Sequence, residues 1–337
     1  MLLQLANVLG SGDGARAFAR DAISVGPTPL ASAADQKVRS LIRDAADQLC
    51  RVVDGNLDFV VQVSESDDDV DKLLLLVNFV LASARRSFNE LSEVHRRVQE
   101  DLLAACKLQE KLLPEKLPRA RNLRVAAKCI PARTVSGDFY DFFRYQRSGH
   151  CVGLLADVSG KGAAAAIYAA LASGVVRSLA DNEMPPAAML SHLNSRLFAR
   201  GLEGNFVAQA YFTWDDDTRT LELSNSGLPE PLLLRKGVVQ TLPIHGLPLG
   251  LFFEANYEAL RIQCEPGDTF VFYTDGVVDQ LDRDGNEFGG SQLAEIISNT
   301  PFRNPADTVE FLFAQVSKHC QCENNIDDQT VIVLQVE

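Results

Sequence analysis

A chain of 337 residues is too long for one small domain and suits two of ordinary size. Hydrophobic residues make up 46% and charged residues 23%, which excludes a wholly disordered or fibrous chain. With 45 Asp+Glu against 32 Lys+Arg the net charge is -13; such a surface repels phosphate backbones and anionic lipid, so no nucleic-acid partner is expected.

In chain order, residues 1–36 are rich in Gly, Ala, Ser and Pro and read as a partly ordered lead-in. Met1-Leu2-Leu3-Gln4 has no basic region of the kind that opens a secretory signal. From Lys37 apolar residues recur at three and four: Val38, Leu41, Ile42, Ala45, Leu49 and Val52 predict a helix, which Asp54-Gly55-Asn56 breaks. A second helix is predicted from Val70, with a stripe of Leu73, Leu74, Val77, Val80, Leu81, Ala84, Phe88 and Leu91. It continues through Val94, Val98, Leu102, Ala105, Leu108 and Leu112, apolar about every 3.5 positions. A helix this long cannot bury its stripe alone, so a coiled-coil homodimer is expected, ended by Pro114 and Pro118.

Beyond Pro118 the pattern changes to short apolar runs bounded by turn residues. Strands are predicted at Leu123–Ile130, Val152–Ala156, Phe206–Trp214, Leu221–Ser224, Pro231–Leu234, Ala259–Cys264, Thr269–Tyr273 and Thr330–Val336. Helices are predicted at Gly162–Leu179, Pro186–Ala199, Ser291–Ser298 and Pro305–Cys320. Clustered strands with grouped helices make an α+β layered domain. The apolar stretch Gly162–Val176 is too short to cross a bilayer and runs into Arg177, so no membrane span is expected. Seven scattered Cys without a CxxC pair read as reduced thiols of a cytoplasmic protein.

Four acidic motifs adjoin the predicted strands: Ser136-Gly137-Asp138-Phe139-Tyr140-Asp141, Asp157-Val158-Ser159-Gly160-Lys161-Gly162, Thr274-Asp275-Gly276 and Asp327-Asp328-Gln329-Thr330. Any one Asp-Gly pair is an ordinary turn. Together they point to carboxylates gathered at strand tips, a repulsive arrangement that a hard divalent cation, Mg²⁺ or Mn²⁺, relieves. The run Asp215-Asp216-Asp217 lies between two alternating strands and reads as a hairpin turn.

In their order, these motifs resemble those of the metal-dependent PP2C-type protein phosphatases, nearest to the bacterial sporulation and stress-response branch (SpoIIE/RsbU-like). The resemblance covers about residues 108–337 and includes Leu108-Gln109, Leu112-Leu113-Pro114, Pro131-Ala132-Arg133, Gly246-Leu247-Pro248-Leu249-Gly250 and Pro266-Gly267-Asp268. It implies an αββα sandwich of two antiparallel sheets flanked by helices over 119–337, preceded by an all-α helical and coiled-coil segment, with 92–118 as linker helix. It implies two cations held by Asp138, Asp157, the Val158 carbonyl, Asp275 and Asp327. Arg133 stands where such enzymes bind phosphate, and reads equally as a plain surface charge. Leu228 departs from the pattern, since many relatives carry His there.

The activity so implied is hydrolysis of a phosphoserine or phosphothreonine protein by water activated between the cations. The implied substrate is a STAS-type anti-sigma-factor antagonist of a partner-switching circuit. The rival expectations are a catalytically weak signalling scaffold, for which Leu228 is the hint, and a phosphohydrolase of small molecules. Residues 37–91 also resemble a HAMP module, a parallel helix-connector-helix dimer, although the usual Glu-x-Gly is absent at Asp69-Val70-Asp71. An unrelated helical dimerisation segment fits these residues as well.

Overall fold

The computed structural model describes Ser40, Arg43, Val60, Val63 and residues 69–114, 116–117, 120–200, 204–300, 304–321 and 325–337. Contacts divide the chain into two units, Met1–Gln99 and Glu100–Glu337. The first predicted helix and the acidic connector of the HAMP-like reading fall almost wholly outside the described residues.

Helix α1 (Asp69–Glu110) is unbroken for 42 residues, as the apolar spacing from Val70 predicts. Its Phe79, Phe88, Leu91, Val94, Val98 and Leu108 are all more than half exposed. Leu74 and Leu81 of the predicted stripe are buried, whereas its part from Phe88 to Leu108 is largely exposed among the described residues.

The second unit carries two antiparallel five-stranded sheets. One runs, edge to edge, β1 (Leu123–Ile130), β10 (Gln329–Val336), β9 (Thr269–Tyr273), β6 (Leu232–Arg235) and β7 (Val238–Thr241). The other runs β2 (Phe139–Arg144), β3 (Cys151–Val158), β4 (Val207–Asp215), β5 (Thr220–Ser226) and β8 (Leu260–Gln263). Helices α2 (Ala163–Leu179) and α3 (Pro186–Phe198) cover the second sheet. The short α4 (Asp275–Val278) follows β9, and α5 (Gly290–Asn299) and α6 (Pro305–Cys320) cover the first sheet.

Three apolar layers hold this sandwich. Between the sheets, Leu155, Trp214 and Leu223 meet Phe270, Ile332 and Leu334, and the Phe212 and Phe272 rings stack at 4.8 Å. Outside the second sheet, Leu154 and Tyr211 pack on Ala169, Ala172 and Leu193. Outside the first, Val331 and Val333 pack on Leu293, Leu312 and Val316. Because β3 is covered on both faces, it reads as a continuous apolar run rather than an alternating one.

This is the αββα sandwich expected, with three elements the sequence did not announce. β2 begins inside the Asp138 motif, and Asp141, paired with Arg177, breaks its apolar run. β7 is a short, largely exposed edge strand with no alternation, and α4 is a single helical turn. Residues 163–182 are long and apolar enough to cross a membrane by length and composition. Burial of Ala165, Tyr168, Ala169, Ala172 and Val176 inside the folded domain accounts for that composition.

Candidate metal centre

The acidic motifs converge at one end of the sandwich. Asp138 immediately precedes β2, Asp157 is the penultimate residue of β3, Asp275 opens α4 after β9, and Asp327 lies two residues before β10. Both sheets therefore contribute. The pairing of β2 with β3 brings the first two carboxylates together, and that of β10 with β9 the second two.

Asp138 is buried, and its Oδ2 accepts hydrogen bonds from Thr274 Oγ1 at 2.8 Å and Thr330 Oγ1 at 2.7 Å. Burial, then the nearby Asp157 charge, pushes its pKa well above the carboxylate range. Asp157 shares a side-chain hydrogen bond with Asp138, and burial followed by the charges of Asp275 and Asp327 pushes it up to about 7. Asp275 is raised by withdrawal from water and then by Asp279 and Asp327. These shifts, set by burial first and by neighbouring negative charge second, mark carboxylates withdrawn from water and crowded without enough positive charge. Lys161 supplies one cation: its Nζ lies 2.8 Å from Asp327 Oδ2 and donates to the Ile326 carbonyl at 2.7 Å.

Asp328 has a different task. Its Oδ1 accepts from the Ala132 N–H at 2.7 Å and its Oδ2 from the Gly137 N–H at 2.6 Å. It thereby pins the loop that carries Asp138. Close approach explains two glycines here. A Cβ at Gly137 would sit 3.0 Å from the Val158 carbonyl oxygen, and one at Gly276 would sit 2.1 Å from the Asp328 carbonyl oxygen. Gly137 thus lets the loop that carries Asp138 pass close to the Val158 carbonyl.

Among the described residues, no three acidic, imidazole or thiol side chains close on one point as a preformed cage. The donor set nevertheless fits a hard divalent cation. It is all oxygen, strongly negative, and crowded enough to hold protons above their ordinary affinity. Arg133 is exposed on the loop between β1 and Asp138, its Nη1 3.7 Å from where a Cβ on Gly162 would stand. That places a guanidinium beside the Asp157–Gly162 loop. Asp141 of the same motif turns away, and its buried carboxylate pairs with Arg177, whose Nη2 donates at 2.6 Å. Asp216, in the acidic hairpin, accepts from the Arg121 and Asn122 N–H groups and from Trp214 Nε1, which is a structural use.

Sequence reasoning passed over Thr274, Thr330, Asp328, Lys161 and Gln109 as working residues. All five stand inside motifs of the resemblance, which by themselves assign them no role. Gln109, in the last turn of α1, grips Ser136 from both sides: its Nε2 donates to the Ser136 carbonyl and its Oε1 accepts from the Ser136 N–H at 3.0 Å. Ser136 Oγ in turn accepts from the Asp138 N–H at 3.0 Å. Leu228 is 7% exposed and belongs to the core between the sheets, so its side chain serves packing.

Comparison with known proteins agrees with this geometry. The family profile described as Stage II sporulation protein E (SpoIIE) matches residues 147–337. Phosphoserine phosphatase RsbU of Bacillus subtilis is 24% identical over 245 residues, which is 72% of this chain and 68% of the relative. Among solved structures, the SiaA-PP2C domain of Pseudomonas aeruginosa superposes with a TM-score of 0.64 at 20% identity, over 72% of this chain and 99% of that one. The PP2C phosphatase domain and regulatory-domain fragment of SpoIIE from Bacillus subtilis gives 0.56 at 17% identity, over 65% of this chain and 64% of that one.

Proposed function

This chain belongs to the SpoIIE family of PP2C-type phosphoprotein phosphatases, which depend on divalent metal, and on that premise we propose the residues, cation count, substrate and regulation of its reaction. Two cations, Mn²⁺ or Mg²⁺, are held by Asp138, Asp157, the Val158 carbonyl, Asp275 and Asp327. The observation that carries this reading is the convergence of those carboxylates from both sheets, with Asp138, Asp157 and Asp275 pushed up by burial first and by neighbouring carboxylates second.

When bound, the cations supply an activated water and neutralise charge on the phosphoryl group. The chain's own residues do the rest. The Thr274 and Thr330 hydroxyls fix the Asp138 carboxylate in direction. Asp328 fixes the loop beneath it. The Arg133 guanidinium, for which no ion pair is found among the described residues, binds and orients the phosphate of the substrate. Lys161 offsets negative charge on Asp327.

The substrate is a protein carrying phosphoserine or phosphothreonine, and the resemblance to RsbU favours phosphoserine on a STAS-type anti-sigma-factor antagonist. α1 pairs with a second copy along its exposed stripe to form the dimer. A change in that pairing reaches the centre through Gln109 and Ser136. An apolar groove of about 480 Å³ lies between Leu108 and Leu112 of the α1 end and Ala163, Ala166 and Ile167 of α2.

The test is dephosphorylation of a phosphoserine protein with and without Mn²⁺, for the parent and for Asp157→Asn. Metal-dependent release of phosphate that falls at least 100-fold in the variant supports the assignment. Equal turnover by parent and variant overturns it.

A further inference from the structure

Large apolar side chains are exposed unevenly over the catalytic unit. Among the described residues of 120–337 eight are exposed, and five of them, Phe198, Leu247, Leu251, Phe252 and Phe253, belong to the end of α3 and one loop between β7 and β8. Phe253 is 74% exposed, its ring leaning on Phe198 at 5.6 Å between centroids. The loop is held in place rather than loose. Asn194, buried on α3, accepts from the Gly250 N–H at 2.8 Å and donates through Nδ2 to the Phe252 carbonyl at 2.9 Å. Holding aromatic rings in water is unfavourable, and a fixed backbone prevents their retreat.

The position of this loop decides its meaning. Leu249 exchanges backbone hydrogen bonds with Val207, at 2.8 and 3.0 Å, so it extends the second sheet beyond the start of β4. Val207 pairs with Val158, and the Ser159 N–H donates to the Phe206 carbonyl at 3.0 Å. The aromatic loop is thus joined by two backbone steps to the strand end that carries Asp157.

We propose that Phe252 and Phe253, backed by Phe198, form a docking platform for an apolar surface of the folded phosphoprotein substrate, beside its phosphorylated residue. The proposal rests on the phosphatase reading above. Charge favours this kind of contact: a chain of net charge -13 repels an acidic phosphoprotein at long range, so short-range apolar burial adds affinity beyond that of the contacts to the phosphate itself. Size favours a transient partner over a second copy, because a stable interface takes roughly 20–30 residues a side and the exposed apolar patch around the platform has five large side chains.

The experiment compares the full-length parent, Phe253→Ser and Phe252→Ser/Phe253→Ser, all with Mn²⁺, on three probes. These are a STAS-domain protein phosphorylated on serine, a ten-residue phosphoserine peptide of the same local sequence, and p-nitrophenyl phosphate. On the folded protein kcat/KM is expected to fall at least tenfold through KM in the double variant and less in the single one. Turnover of the peptide and of p-nitrophenyl phosphate is expected to stay within twofold. Equal loss on all three probes, or no loss on the folded protein, overturns the platform. So does a variant whose dimer dissociates in sedimentation while its KM is unchanged, for the patch is then a self-interface. A parent inactive on every probe instead overturns the phosphatase reading itself.

Discussion

At the scale of residues, two adjacent aspartates show what chain order alone leaves open. Asp327 and Asp328 stand side by side in the bend that leads into β10, where the Asp328 N–H donates to Asp327 Oδ1 at 2.9 Å. One reaches Lys161 at the rim, and the other turns inward to two backbone N–H groups. The acidic pair was legible in the sequence; the division of labour was not, because it depends on which N–H groups the loop at 132–137 presents. Replacing Asp328 by Asn puts an NH₂ group against a backbone donor and leaves a buried N–H unsatisfied, a change worth about 1–3 kcal/mol. Asp328→Asn is therefore expected to lower the melting temperature and to weaken Mn²⁺ binding in calorimetry at least tenfold through the displaced Asp138. Asp327→Asn breaks only a half-exposed pair, so its metal-free melting temperature is expected to move little while metal binding is lost. The opposite ranking of the two melting temperatures contradicts this division of roles.

At the scale of elements, legibility followed burial. β3, β9 and β10 are covered on both faces and stand out as apolar runs, and α1 is written in its apolar spacing. β7 has little burial to write itself with, and β2 hides because its Asp141 spends a strand position on a buried pair with Arg177. α1 carries the element-scale prediction. An α-helix turns by about 100° per residue, so one inserted Ala rotates the stripe relative to Gln109, whereas seven residues nearly restore its phase. One Ala inserted after Gln99 is expected to change kcat/KM on a phosphoprotein severalfold, and a seven-residue heptad inserted there to leave it near the parent value. Gln109→Ala should remove that sensitivity while the metal ligands stay intact. Equal activity in both insertion variants would falsify coupling through this helix.

At the scale of the whole molecule, the residues alone announce an α+β layered domain, and the two-sheet sandwich follows only from the resemblance of the ordered acidic motifs to the PP2C-type phosphatases; in the structure the two antiparallel sheets bring the ends that carry those motifs together. That meeting has a thermodynamic cost in the metal-free protein. Asp157 is raised from an ordinary 3.8 to about 7, and Asp138 and Asp275 are raised with it, burial being the first cause in each. Over that window the folded state binds more protons than the unfolded one, so the contribution of these groups to stability is complete below about pH 4 and is lost as pH rises towards 7. Lowered carboxylates such as Asp215 and Asp216, held down by hydrogen bonds, act in the other direction and lose their contribution as the solution becomes strongly acidic. The metal-free protein is accordingly expected to melt at progressively lower temperature between about pH 5 and pH 8 in a chelating buffer. Saturating Mn²⁺ should raise the melting temperature most at the alkaline end, since cations bind the deprotonated carboxylates and displace their protons. Asp157→Asn removes a group that titrates across this window, so it should flatten the chelator profile and blunt the response to Mn²⁺ together. A melting temperature that climbs steadily from pH 5 to pH 8 without metal would mean that these carboxylates are already neutralised by something other than protons.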